Sequence, residues 1–312
     1  MPYDLTKRLV VGLSSSALFD LTDSDDIFRT KGEDIYREYQ RDQQDIPLEK
    51  GVAYPFIRRL LKLNELRPQD PLVEVILLSR NDPDTGLRVM NSIEYYKLPI
   101  TRAVFLQGKS PYIYIPAFDI ELFLSANQHD VKQAILAGYP AGQILKGNIT
   151  DDDSDLELRI AFDFDGVIAD DEAESIYKNS GELADFHSHE AEYVNKPHNP
   201  GPLKKFLQRV SDIQKLENDK VKDDNSYKPI INISIVTARN APSHKRVINT
   251  MRSWGISINE AFFMGGVEKS KVLNILKPHI FFDDQRLHLQ ASSILPSVHI
   301  PFGIANEVTN EE

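Results

Sequence analysis

The sequence predicts a parallel α/β fold made of two similar units in tandem. Short apolar runs of strand length recur along the 312 residues, segments with helical spacing lie between them, and the second half repeats the order of the first. The predicted strands are Leu9 to Leu13, Val73 to Leu78, Ala103 to Leu106, Leu158 to Phe162, Ile230 to Val236, Ala261 to Met264 and His279 to Phe282. Ile57 to Leu66, Leu87 to Tyr96, Leu203 to Leu216 and Arg246 to Trp254 have helical spacing. Alternation of strand and helix favours a parallel sheet. The acidic run Asp151 to Asp155 reads as a solvated connector, and the charged stretch Glu217 to Lys228 as a surface loop ahead of Pro229.

The repeat is visible in the letters. VGLSSSALF from Val11 lies over IAFDFDGVI from Ile160, and IFRTKG from Ile27 over IYKNSG from Ile176. VILLSRN from Val75 matches SIVTARN from Ser234, with Arg80 over Arg239, and RVMNSI from Arg88 matches RVINTM from Arg246. AVFLQG from Ala103 follows AFFMGG from Ala261, and LFLSAN from Leu122 follows IFFDDQ from Ile280, all in the same order and at a nearly constant offset. An internal duplication is therefore expected, with units at 1–150 and 151–312.

Composition narrows the function. At 41% hydrophobic residues the chain can bury a sizeable core. A formal net charge of −11 provides no general footprint for a nucleic acid backbone. There are no cysteines, which excludes thiol catalysis and cysteine-based zinc sites, and no apolar span approaches the roughly 18 residues a membrane helix needs. A cytoplasmic protein with no nucleic-acid or membrane partner is expected; a homo-oligomer is compatible with the sequence.

Reactive groups are confined to the second copy. Asp163 and Asp165 follow the strand Leu158 to Phe162, and alternation turns both to the same side at the carboxyl end of a strand, where open α/β sheets bind ligands. Gly166 lets backbone N–H groups approach an anion. A D-x-D alone reads more readily as a solvated turn, but three further elements follow in order. Thr237 ends a strand, its hydroxyl and the neighbouring N–H of Ala238 available to phosphate oxygens; Lys269 opens a helix as a compact cation; and Asp283 and Asp284 end another strand. Carboxylates from Asp163, Asp165 and Asp283 or Asp284 make an all-oxygen set suited to Mg²⁺. His187-x-His189 lacks the further ligands of a zinc site.

This four-part pattern resembles the haloacid dehalogenase superfamily of phosphohydrolases. Over nearly the whole chain the sequence resembles the cytosolic type I 5′-nucleotidases, through LSSSALFDL, ILLSRN, NSIEYYKLPI, AFDFDGVIADDE, VNKPHNPGPLKKFL, IVTARNAPS, RSWGI and HIFFDDQ followed by PFG. Where that family commonly has Asp-Gly-Asp-Ala, this chain has Asp163-Phe164-Asp165-Gly166, nearer the general superfamily form. The resemblance implies two tandem Rossmann-like units of haloacid-dehalogenase type, the first a degenerate repeat and the second catalytic, with a small cap inserted at about 170–230. It implies hydrolysis of nucleoside 5′-monophosphates, Asp163 forming an aspartyl-phosphate, Asp165 serving as acid and base, and Mg²⁺ as cofactor. Phe186, Asn195, Lys196 and Arg239 are candidates for holding the nucleotide. In the first copy Ser14 and Ser16 stand where Asp163 and Asp165 are, Leu78 where Thr237 is, and Ser125 and Ala126 where Asp283 and Asp284 are. A phosphatase for another small phosphate ester and a nucleotide-sensing protein are the alternatives.

Overall fold

In the computed structural model, residues 3–147, 151–290 and 295–306 are described. The chain forms two compact units, Met1–Tyr139 and Pro140–Glu312. In unit 1 the order is β1 (Leu9–Leu13), α1 (Ser15–Leu18), α2 (Thr22–Lys31), α3 (Glu33–Asp42), α4 (Tyr54–Lys62), β2 (Val73–Ser79), α5 (Leu87–Tyr95), β3 (Arg102–Phe105), β4 (Leu122–Ser125) and α6 (Gln128–Leu136). Unit 2 contains β5 (Ala141–Ile144), β6 (Leu158–Phe162), α7 (Glu172–Ser180), α8 (Leu183–Glu192), α9 (Lys204–Asp223), β7 (Ile231–Thr237), α10 (His244–Ser253), β8 (Glu260–Phe263), α11 (Lys269–Leu276), β9 (Ile280–Asp283), α12 (Arg286–Gln290) and β10 (Ser297–His299). Among the described residues no helix is long and apolar enough to cross a membrane.

Both units build a parallel core in the same strand order. In unit 1 the order is β3-β2-β1-β4, with β1 parallel to both β2 and β4. In unit 2, β8-β7-β6-β9 is followed by β10, parallel to β9, and by β5, antiparallel to β10. All five residues of β1 are buried, as are all seven of β2 and four of the five in β6, which is why they read as predominantly apolar runs, interrupted only by Glu74, Ser79 and Arg159, rather than alternating ones. In each unit the chain leaves its first parallel strand toward one side of the sheet and later returns to its other side. The carboxyl ends of β1 and β4, and of β6 and β9, therefore flank a topological switch point, where such sheets hold ligands.

Several sequence expectations need correction. The units divide at Tyr139/Pro140, ahead of the expected 150/151, because Ala141–Ile144 pairs with β10 and so joins unit 2. The excursion after β6 is shorter than 170–230. A bridge between Ala169 and Pro200 closes it, and α9 then packs on the sheet, the Phe206 ring 6.1 Å from Phe162 and 6.0 Å from Phe282. Only α7 and α8 stand above the strand ends. Unit 1 has the counterpart, with α2 and α3 inside a bridge between Phe19 and Lys50.

Glu217 to Lys228 is not wholly a loop, since α9 continues to Asp223. Glu217 is fully buried, its carboxylate accepting from the N–H groups of Ile230 (2.9 Å) and Ile231 (3.1 Å) and from the Tyr227 hydroxyl (2.7 Å). These backbone donors lie where the chain enters β7, so the glutamate substitutes for a missing strand partner. Glu217→Ala is expected to destabilise the protein by about 2–4 kcal/mol, because buried donors lose their acceptor. Chemical denaturation would measure this; a change under about 0.5 kcal/mol would mean that water replaces the carboxylate.

Candidate active site

The carboxyl ends of β6, β7 and β9, with the first turn of α11, bring four charged groups together. Asp163 directly follows β6; its N–H donates to Phe282 O (2.8 Å) and its Oδ1 accepts from the Phe164 N–H (2.7 Å). Lys269, at the start of α11, places Nζ 2.6 Å from Asp163 Oδ2 and 2.7 Å from Asp283 Oδ2. Asp283 also lies 3.1 Å from His288 Nδ1 on α12. Asp163, Lys269, Asp283 and Asp284 are each at most 4% exposed.

Three buried carboxylates around one ammonium leave excess negative charge. Burial pushes Asp163 up to about 7, with Lys269 opposing and Asp283 reinforcing the shift. Burial also drives Asp284 up, together with the charges of Asp163 and Asp283, to about 10. At Asp283 burial is outweighed by Lys269 and His288, which hold the carboxyl below its usual range. Lys269 is likewise raised, its burial overcome by Asp163 and Asp283. Both oxygens of Asp284 lack a hydrogen-bond partner among the described residues, a costly arrangement for a buried carboxylate unless a cation or proton joins it. Gly166, at φ +69°, closes the other side; a Cβ there would lie 2.7 Å from Asp284 Oδ2. Only glycine leaves that oxygen its space. Asp163, Asp283 and His288 each present one donor atom within 4.8 Å of the others. The donor set, dominated by carboxylate oxygen, fits a hard divalent cation.

Asp165 does not join this cluster. Both its oxygens accept from Arg239, Oδ2 from Nε and Oδ1 from Nη2, each at 2.7 Å, so its carboxylate is not offered to the group that would hold the metal. Arg239 also donates to Glu190 on α8, and its Nη2 lies 3.1 Å from His198 Nε2. Glu190 in turn accepts from Arg246 Nη1 at 2.7 Å. Burial works against ionised Glu190, but His198 and Arg239 prevail and hold it down at about 2.

A cavity of about 390 Å³ opens over Asp163 and Asp165, within the usual range for small-molecule sites. Thr237, the last residue of β7, and Ala238 line it together with Arg239 and Phe186, and Thr237 Oγ1 accepts from the Arg239 N–H at 3.3 Å. The Phe186 ring lies 5.3 Å from the Arg239 guanidinium. Asn195 and Lys196 are exposed and outside the cavity wall; the Lys196 carbonyl instead accepts from Arg246 Nε at 3.0 Å. Sequence reading missed Glu174, Tyr177, Gln285 and His288, all lining the cavity, and Glu190 behind it. The only signal for His288 was its place one helical turn beyond Asp284.

The sequence matches the 5′-nucleotidase family over residues 1–307. The chain belongs to the 5′-nucleotidase family. It is 34% identical over 296 residues to cytosolic 5′-nucleotidase 1B of Homo sapiens, covering 93% of this chain and 48% of that protein. The chain thus spans about half the length of the curated relative it matches. No solved structure matches it. In this family member the Arg239–Glu190 contact joins the loop after β7 to helix α8, so removing the shared carboxylate should loosen both. Glu190→Ala is expected to cost about 3–5 kcal/mol, because two buried guanidinium groups lose the fully buried carboxylate they share. Glu190 is held near 2 against an ordinary 4.5, so its contribution is complete above 4.5 and disappears as pH falls toward 2. Denaturation across that window should show wild type and Glu190→Gln converging at low pH; a constant gap would contradict the assignment.

Proposed function

We propose that the chain hydrolyses nucleoside 5′-monophosphates to nucleoside and phosphate, with Asp163 as nucleophile and Mg²⁺ as cofactor. The carrying observation is the buried Asp163–Lys269–Asp283 cluster at the switch point, with the unpartnered oxygens of Asp284 beside it. Family membership supports nucleotides as the substrate class. Asp163, Asp283 and Asp284 would hold Mg²⁺, Asp284 being the carboxylate with most to gain. When bound, the ion offsets the repulsion between an anionic nucleophile and an anionic ester, worth several kcal/mol at a few ångströms.

The chain's own residues then divide the chemistry. Asp163 attacks phosphorus in line; a Asp163–phosphorus bond forms as the bond to the sugar 5′-oxygen breaks. That alkoxide is too basic to leave unprotonated, and Asp165, two residues on, delivers the proton. Asp165 then takes a proton from water as it attacks the aspartyl-phosphate, freeing phosphate and restoring Asp163. Thr237, the Ala238 N–H and Lys269 hold phosphoryl oxygens, with Gly166 keeping the approach open. Arg239 aligns Asp165 through two parallel hydrogen bonds, and must slacken that grip when the proton is loaded. Phe186 and Tyr177, on the two helices above the cavity, offer apolar faces for a base.

We further read the matching strand orders, paired helices and closing bridges as one ancestral haloacid-dehalogenase-type unit duplicated, the first copy having lost its carboxylates. The human relative is a cytosolic 5′-nucleotidase, and we extend that setting to this chain. Nucleoside monophosphates should outpace sugar phosphates in kcat/KM across a panel of phosphate esters. Phosphate release should fall to background in excess chelator and return with Mg²⁺, while Asp165→Asn should lower kcat at least about 100-fold. Full turnover in chelator, or a preference for sugar phosphates, would overturn the proposal.

A further inference from the structure

We propose that unit 1 carries a second, non-catalytic ligand site that binds an uncharged nucleoside or free base. A cavity of about 640 Å³ lies at the carboxyl ends of β2, β3 and β4, beneath α2 and α3. It occupies the same place in its own unit as the candidate active site does in unit 2. Arg80 and Asn81 follow β2 as Arg239 and Asn240 follow β7, and Phe28 and Tyr36 project from the two overlying helices as Tyr177 and Phe186 do. The walls suited to a nucleoside are thus kept.

What is lost is everything that would hold a phosphate. At the switch point Ser14 and Ser125 end the strands where unit 2 has Asp163 and Asp283. Ser14 instead caps α1, its hydroxyl accepting from the Ala17 N–H at 3.2 Å. Arg80 is the one cationic residue among those lining the cavity, and its guanidinium is engaged: Nε donates to Asp130 Oδ2 (2.8 Å), Nη2 to Asp130 Oδ1 (2.5 Å) and Nη1 to Gly108 O (2.9 Å). Asp130 is 1% exposed, so this pair is built into the wall. Asp25, Glu33 and Asp82 face the same space, and Arg37 is already committed to Glu33 (2.8 Å) and Asp82 (3.3 Å). A phosphate dianion would meet Asp25 and arginines already paired with carboxylates, whereas a neutral ring needs no counter-charge.

The remaining wall suits such a ring. Phe28 and Tyr36 meet edge to face, with centroids 5.5 Å apart, and Phe28 is 51% exposed, its surface open to a stacking partner. The side chains of Asn81 and Gln107 supply both donors and acceptors for a base edge. Exclusion of phosphate rests on the cavity alone. The choice of nucleoside among neutral rings rests on the reaction proposed above, of which it is the product.

The test is calorimetry on the full chain with adenosine, inosine, cytidine and uridine, each against its 5′-monophosphate, in chelator to prevent turnover. Two nucleosides should bind per chain. Phe28→Ala, at a half-exposed position, should weaken one of the two at least about tenfold, the scale of a lost base–aromatic contact, while kcat/KM for phosphate release stays within about twofold. Asp25→Asn should narrow that site's preference for nucleoside over monophosphate. One nucleoside per chain, unaffected by Phe28→Ala, would overturn the proposal, as would equal binding of monophosphate at the Phe28-dependent site. Failure of the catalytic reading would show separately, as absent phosphate release with Phe28-dependent nucleoside binding intact.

Discussion

One lysine buried among three carboxylates is the constraint on which the rest of unit 2 turns. Lys269 reaches Asp163 and Asp283 at 2.6 and 2.7 Å, while neither side-chain oxygen of Asp284 beside them has a hydrogen-bond partner among the described residues. Isolated charges are costly to bury, so such a cluster persists only where the surroundings leave it no other arrangement. The framework is rigid. Asp163 and Asp283 sit at the ends of adjacent parallel strands, and behind them Phe162 stacks on Phe282 with centroids 5.1 Å apart. A second sphere of apolar residues, Ala161, Val236, Leu273 and Phe281, holds α11 against the sheet and so fixes where Lys269 begins. Packing thus supplies the energy that electrostatics consumes.

Arg239 extends this constraint outward. One guanidinium holds both oxygens of Asp165 and also reaches Glu190, tying the acid–base candidate to a helix that covers the cavity. Movement of α8 would therefore be felt at Asp165 through two charge-assisted contacts. Arg80 in unit 1 stands at the same strand end but pairs with Asp130 on α6, a residue of its own sheet's periphery rather than of an overlying helix. Both units have an arginine at that strand end, and each grips a different partner.

The strands were legible because parallel strands buried on both faces are predominantly apolar; Leu9 to Leu13 and, despite Arg159, Leu158 to Phe162 were read to the residue. Thr237, Lys269, Asp283 and Asp284 were legible for the same reason, since each directly follows or precedes an element whose end could be seen. The continuation of α9 was not. Glu217 looks like a solvated residue in a charged stretch, and only the backbone donors of Ile230 and Ile231 make its burial favourable. Asp165 was expected among the metal ligands because it shares a face with Asp163, yet an arginine 74 residues away claims it. Glu190 escaped notice because its pairing with Arg239, 49 residues away, leaves no local pattern. Asn195 and Lys196 carry suitable chemistry, but the turn after α8 directs them to solvent.

The account stands or falls on covalent chemistry at Asp163. Rapid-quench mixing of the Mg²⁺-loaded protein with a nucleoside monophosphate labelled at phosphorus, followed by acid precipitation and peptide mass spectrometry, would measure it directly. The account predicts label transiently bound to the protein, mapped to Asp163, and absent from Asp163→Asn. Steady phosphate release with no labelled protein at any quench time, or label retained in Asp163→Asn, would contradict it.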